Sequence, residues 1–208
     1  MAVDPPPEWA RYRRAPGLVL GFHGCDSAVA ELVLSGQQGH LKPSENAYDW
    51  LGPGVYFWES DPWRALSFAR DAQERRFLTQ GDIQNPTALG AVIDLGRCCN
   101  LLEVPALDEV RSAHQYLSEA TASAKVSLPR NQGRERGQRF LDRAVMETVH
   151  KLREIRQLPR YQTVRAAFLE GDDLYEGAGF KARNHIQIAV RDPDCILGYF
   201  RLPAHPRL

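Results

Sequence analysis

Three short stretches of the chain carry residue types able to do chemistry. His23-Gly24 closes the apolar run Leu18 to Phe22, LVLGF. A histidine there can donate and accept hydrogen bonds, and a glycine at a strand end lets a ligand approach the backbone closely. Taken alone, the pair reads as a core histidine beside a turn glycine. The second stretch is LGPGVYFWESDPWRALSFA, Leu51 to Ala69. Gly52 and Gly54 let the loop that holds Ser44, Asn46, Tyr48 and Asp49 turn sharply and come close to a bound group. In the strand that follows, alternation sends Val55 and Phe57 to one face, and Tyr56 and Trp58 to the other. The first face suits a core. The second carries flat rings that stack on a heteroaromatic ring or simply cover a sheet. The third stretch is HIQIAV, His185 to Val190. Ile186, Ile188 and Val190 form an apolar face opposite His185, Gln187 and Ala189. A Gln in so apolar a strand costs about 1–3 kcal/mol unless it finds partners in the protein or on a ligand.

These residues need elements to position them. Leu18 to Phe22 reads as a strand, Ser27 to Ser35 as a helix stopped by Gly36, and Gln37 to Pro53 as a long polar loop. Gly54 to Trp58 is a second strand. Asp61-Pro62 opens a helix to about Leu78, with Asp as cap and Pro in the first turn. Its Leu66 and Ala69 are expected to face the Val55 and Phe57 core. Ala88 to Leu95 is a third strand and Pro105 to about Ala122 a helix. Phe140 to Leu158 is the longest helix, with Leu141, Val145, Val149, Leu152 and Ile155 on one stripe. Gln162 to Phe168, His185 to Val190 and Ile196 to Leu202 are the last strands. Strands and helices mix without regular alternation, which predicts an α+β fold with a largely antiparallel core.

The chain has 208 residues, 43% hydrophobic and 25% charged, which suits a single domain spanning 1–208. Residues 1–16 form a Pro-rich lead-in without the apolar core of a secretion signal. Residues 127–138 form a polar, basic linker within the domain. No apolar run reaches membrane-spanning length. Cys25, Cys98, Cys99 and Cys195 show no CxxC spacing, so neither a metal nor a disulfide framework is expected and the chain reads as cytoplasmic. Net charge is zero, yet eleven Lys/Arg against four Asp/Glu give Lys125 to Arg165 a local net of +7, while Glu170 to Glu176 holds four acids and no base. The basic block is either a solvated helix face with its preceding loop or an attractor of polyanions.

Each signal is weak, but their order along the chain resembles the ADP-ribosyltransferase superfamily. The closest branch is the one shared by poly(ADP-ribose) polymerases and diphtheria-type bacterial toxins, whose members carry a His-Tyr-Glu triad on three strands. FHGCDSAVAELVLSG looks like the first motif and LGPGVYFWESDPWRALSFA like the second; the strong matches cover Phe22 to Ala69. The resemblance implies a split, mainly antiparallel β core with flanking helices, and NAD as co-substrate. It implies that His23 bonds the adenosine ribose, that the Gly24 backbone holds the carboxamide, and that Tyr56 stacks on the nicotinamide. Ser44, Asn46 and Gly54 complete the implied NAD-binding set. The broken bond joins nicotinamide to ribose through an oxocarbenium-like transition state.

The third motif departs from the family pattern, because RNHIQIAV has no Glu. Gln187 is the candidate for the catalytic position, with His185 on the same face and Asn184 as alternatives. Gln orients a ribose but brings no charge and cannot act as a base. Glu170, Asp172, Asp173 and Glu176 lie just ahead, where family members place an acceptor-recognising loop. Glu170, Asp173, Tyr175, Phe180 and His185 are accordingly the acceptor-recognition candidates. The implied activity is mono-ADP-ribosyl transfer by a toxin or defence effector, with release of nicotinamide and with an antitoxin protein as a potential partner. The acceptor is nucleic acid in the first place and protein in the second. NAD hydrolysis, a non-catalytic NAD or ADP-ribose-binding module, and RNA 2′-phosphotransfer on a related fold are the rival readings.

Overall fold

The computed structural model describes residues 17–79, 81–133 and 138–203. The lead-in 1–16 and residues 134–137 of the basic linker lie outside the described residues. In chain order the elements are β1 (Leu18–Asp26), α1 (Ser27–Leu34), β2 (Val55–Glu59), α2 (Pro62–Glu74), β3 (Pro86–Asp94), β4 (Cys98–Asn100), α3 (Val104–Ser123), α4 (Phe140–Ile155), β5 (Thr163–Phe168), β6 (His185–Val190) and β7 (Ile196–Arg201). The strands form one seven-stranded sheet in the order β4-β5-β6-β2-β1-β3-β7. Every pairing is antiparallel except β4 with β5. The fold is α+β.

Local chemistry explains the helix starts. The Asp26 carboxylate accepts from the Ala28 N–H at 2.8 Å and from the Gln84 and Asn85 N–H groups at 2.7 Å, capping α1 and tying it to the approach to β3. Asp61 accepts from the Arg64 N–H at 2.8 Å, and Pro62 occupies the first turn of α2.

Alternation along β2 distributes the core. Val55 and Phe57 pack with Leu89, Ala91, Ile93, Ile188 and Val190 against Ala30 and Val33 of α1. Phe57 and Ile188 are fully buried, each contributing about 1.5–3 kcal/mol of transfer free energy. The opposite face is covered in two places. Leu51, Val164, Ala166 and Ala189 lie under Ala106 of α3 and Met146 of α4, whereas Phe22 and Trp58 lie under Ala65 of α2. Helix α2 therefore packs on the Trp58 side, not on the Val55 and Phe57 side that its pattern suggested, and its buried stripe is Ala65, Ala69 and Ala72. Small residues let this helix sit close to the sheet. Helix α4 buries Val145, Val149 and Leu152 as expected, but Ile155 is exposed, because the helix ends there instead of running to Leu158. Strand β4, three residues long, has no period to read and was not anticipated. Among the described residues no helix is long and apolar enough to cross a membrane.

Candidate functional site

β1 and β2 meet over a short ladder, Gly21↔Glu59 and Phe22↔Trp58. The Leu20 carbonyl accepts the Ser60 N–H at 2.8 Å just before it, so the backbone groups of alternate residues Leu20, Phe22 and Gly24 all point toward β2. At Gly24 the ladder has ended, and its N–H and C=O face the gap that opens there. The His23 ring lies beside this gap. Its Nδ1 is 2.8 Å from the Tyr56 carbonyl oxygen. A carbonyl only accepts, so Nδ1 carries the hydrogen and Nε2 holds the lone pair of the neutral ring. Burial holds the His23 pKa below the usual value, partly offset by that bond. Its ring meets Phe57 edge-on at 5.9 Å, placing it on the α1 side of the sheet. Gly24 has a second task. A Cβ there would stand 2.1 Å from the Ala65 carbonyl oxygen, so the glycine admits α2 onto the strand.

Tyr56 is placed differently from the implied stacking role. Its hydroxyl donates to the Gly52 carbonyl at 2.8 Å and accepts the Leu51 N–H at 3.1 Å, with the ring packed in the Leu51 and Ala189 cluster under α3 and α4. It anchors the preceding loop, and it faces away from His23. Burial and the nearby Asp49 carboxylate push its pKa upward. That loop is itself closely tied. Ser44 and Gly54 exchange backbone bonds at 2.8 and 3.1 Å, and Asn46 Nδ2 donates to Ser44 Oγ at 2.9 Å. Asp49 Oδ2 accepts the Asn46 N–H at 2.9 Å, and Arg143 of α4 reaches both Asp49 and the Asn46 carbonyl. Gly54 brings the chain against the Val190 carbonyl, where a Cβ would stand at 2.7 Å. Ser44, Asn46 and Gly54 thus build the loop.

Gln187 is buried with its Oε1 accepting the Trp50 indole N–H at 2.9 Å. Trp50 stacks on Phe168 with centroids 3.4 Å apart, and the Arg139 guanidinium lies 4.7 Å above it. The sequence demanded a partner for this Gln, and the protein supplies it. Asn184 is exposed, and its Oδ1 accepts the Lys181 N–H at 3.2 Å.

On β6, His185 holds an atom without a partner among the described residues. Its Nδ1 donates to the Arg183 carbonyl at 2.7 Å, leaving the lone pair on Nε2, which is buried and has no hydrogen-bond partner among the described residues. Its side chain is 0% exposed. The Trp58 and Phe168 rings stand 6.4 and 5.6 Å away. Arg64 lies 5.5 Å over Trp58 and pairs with Glu170 at 3.1 Å; the same Glu170 oxygen is 4.0 Å from His185 Nδ1. Trp58 Nε1 and Arg64 Nε and Nη1 are also buried without partners among the described residues. Burial depresses the His185 pKa, opposed by its bond to the Arg183 carbonyl and by the Glu170 charge. Sequence reasoning missed Trp50, Arg64 and Phe168, whose surroundings alone distinguish them.

Of the acceptor candidates, Glu170 and His185 meet in this nest. Asp173, Tyr175 and Phe180 stand farther out on the hairpin that begins at Glu170. The hairpin is closed by Arg183 N–H to Glu170 O, Ala182 N–H to Asp172 O and Leu174 N–H to Phe180 O, at 2.9, 2.9 and 3.0 Å. Lys181 bonds Asp173 at 2.6 Å, and Tyr175 and Phe180 are exposed at the tip. Among the described residues of the basic block, Arg139, Arg143, Arg153, Arg160 and Arg165 pair with Asp142, Glu147, Glu109, Glu154 and Glu59.

The predicted triad does not assemble on one face. His23 lies on the α1 side, and Tyr56, Gln187 and His185 on the other. The chain matches no family model, no curated protein and no solved structure.

Proposed function

We propose that the chain is an NAD-dependent mono-ADP-ribosyltransferase, a glycosyltransferase that moves ADP-ribose from NAD to a macromolecule in the cytoplasm and releases nicotinamide. The observation that carries this reading is the gap at the end of the β1–β2 ladder. There the Gly24 backbone groups and the His23 Nε2 lone pair are left to a ligand rather than to the sheet. A backbone donor and acceptor side by side suit a carboxamide, and an imidazole nitrogen suits a ribose hydroxyl. On β6, His185 rather than Gln187 is the residue left to a ligand in this reading, since the Gln oxygen is committed to Trp50 and His185 Nε2 has no partner among the described residues. His23 and His185 stand on opposite faces, so this reading places the dinucleotide on His23 and Gly24. Tyr56 contributes its backbone carbonyl to His23 and its side chain to the loop.

In the mechanism His23 and the Gly24 backbone position the dinucleotide, while the bond to nicotinamide breaks and the acceptor attacks the anomeric carbon, releasing its proton to solvent. Glu170, paired with Arg64, is the acid nearest His185 in place of the Glu that β6 lacks. Nucleic acid is the proposed acceptor and protein the second choice. The exposed Tyr175 and Phe180 support it through base stacking, rather than the paired arginines. The test is incubation with NAD labelled in the ADP-ribose half and separate pools of RNA, DNA and protein. Label on one polymer, lost in His23→Ala, supports transfer. Free ADP-ribose alone makes the enzyme a hydrolase, and NAD binding without turnover makes it a binding module.

A further inference from the structure

The 170–183 hairpin is tied down at both of its ends. At one, Glu170 pairs with Arg64 at 3.1 Å; at the other, Arg183 pairs with Asp71 at 3.2 Å. Both partners belong to α2, so two ion pairs hold the hairpin across that helix. At its base lie two side chains more than nine-tenths buried, Trp58 and His185, each with a polar atom that has no partner among the described residues, and Arg64 with two more. An unsatisfied buried donor or acceptor carries a desolvation penalty, and such atoms are rarely gathered in one place without use.

We infer that Trp58, Arg64 and His185 form a closed ligand nest gated by this hairpin, and that the nest takes a planar amide edge. The polarity of the free atoms selects that class. Trp58 Nε1–H and the Arg64 N–H groups donate, whereas His185 Nε2 accepts, because its Nδ1 hydrogen is held by the Arg183 carbonyl. A ligand that satisfies all of them needs an acceptor oxygen beside an N–H donor, with a flat body to lie among Trp58, Phe68 and Phe168. A pyridine carboxamide and the imide edge of a nucleobase share this chemistry. A carboxylate satisfies the donors but leaves His185 Nε2 unpaired. Entry requires the hairpin to lift, which separates Glu170 from Arg64 and Arg183 from Asp71. The inference rests on the transferase reading for the source of the ligand, either the NAD side or the acceptor side.

The test titrates the full chain with nicotinamide, uracil and benzoate by calorimetry. In parallel it measures the carbethoxylation rate of His185 by peptide mass spectrometry. In Glu170→Gln/Arg183→Ala, where no ion pair need be broken, the amide binds about tenfold more tightly than in the wild type, and His185 is modified several-fold faster. Trp58→Phe, which keeps the apolar ring, weakens amide binding at least fivefold, and benzoate binds poorly throughout. Nicotinamide binding assigns the nest to the NAD side, and uracil binding assigns it to the acceptor. Failure of both probes in the latch variant overturns the nest. So do equal affinities in Trp58→Phe and wild type, or an unchanged His185 rate. Should the double variant lose its circular-dichroism signal, Arg183→Ala alone, at a half-exposed side chain, carries the same comparison. With NAD consumption read on the wild-type chain, turnover without amide binding in any variant would sink the nest and leave transfer standing; amide binding without wild-type NAD consumption would do the reverse.

Discussion

Gly24→Ala separates two uses of one residue. The added methyl would lie 2.1 Å from the Ala65 carbonyl oxygen, 3.0 Å from the Ala65 carbonyl carbon and 3.2 Å from the Ala69 nitrogen. The closest of these falls short of ordinary contact by more than an ångström, and all three are backbone atoms of one helix. No side chain can rotate away. Helix α2 must therefore retreat, and Ala65, Ala69 and Ala72, all buried, leave their seats with it. Overpacking costs about 1–3 kcal/mol where a core can adjust, and a rigid helix puts this site at the upper end, about 3 kcal/mol. For a domain of this size that lowers Tm by roughly 6–12 °C. Thermal unfolding followed by circular dichroism reads it directly. Gly39→Ala, with nothing within 4 Å of its added methyl, is the control and stays within about 0.5 kcal/mol. A Gly24→Ala protein that melts with the wild type yet loses NAD affinity would refute the packing argument and leave the glycine to the ligand alone.

Tyr56→Phe strands the Leu51 N–H and the Gly52 carbonyl and costs about 1–3 kcal/mol, measurable by urea unfolding; an unchanged midpoint would remove Tyr56 as the anchor of its loop. Asp26→Ala deprives three backbone N–H groups of their acceptor and costs about 2 kcal/mol or more. Acid weakens the protein through His150, whose Nδ1 accepts from Arg191 at 2.7 Å. Burial first, then the charges of Arg191 and Arg153, depress its pKa from 6.5 to about 3. The unfolded chain binds a proton there that the folded chain refuses. Stability is therefore fully present above pH 6.5 and falls by about 1.4 kcal/mol per unit below it, until the folded pKa is reached. His150→Gln, which keeps an acceptor for Arg191, should flatten the loss of Tm between pH 6.5 and 5; an equal slope in both proteins would contradict this.

Period and punctuation made the architecture legible. The alternation in VYFWE and HIQIAV gave the correct faces, and Asp61-Pro62 marked its helix start, because these signals reside in neighbouring residues. The side of the sheet that α2 covers did not follow from its sequence. Ala65, Ala69 and Ala72 make a stripe that fits any close surface, and the deciding contact is the missing side chain of Gly24, far away in the chain. Strand β4 was invisible because edge pairing with β5, not its own three residues, makes it a strand. At the candidate site, the requirement that Gln187 find a partner was readable, but not that the partner is Trp50. Nor could spacing tell that His185 would keep a bare nitrogen while Tyr56 spent both of its hydroxyl bonds on its own loop.

The short ladder between β1 and β2 also bears on how the molecule comes apart. β1 joins β3 from Leu18↔Asp94 to Asp26↔Pro86, and β5 joins β6 from Thr163↔Val190 to Phe168↔His185, while β1 and β2 share two pairs in the middle of the sheet. A ladder this short at the centre of the sheet predicts two cooperative blocks, β4-β5-β6-β2 and β1-β3-β7, joined there chiefly by the shared apolar core. Native-state amide exchange should resolve them as two populations with distinct opening free energies. The amides of Phe22 and Trp58 should follow the weaker block, although they lie at the geometric middle of the sheet.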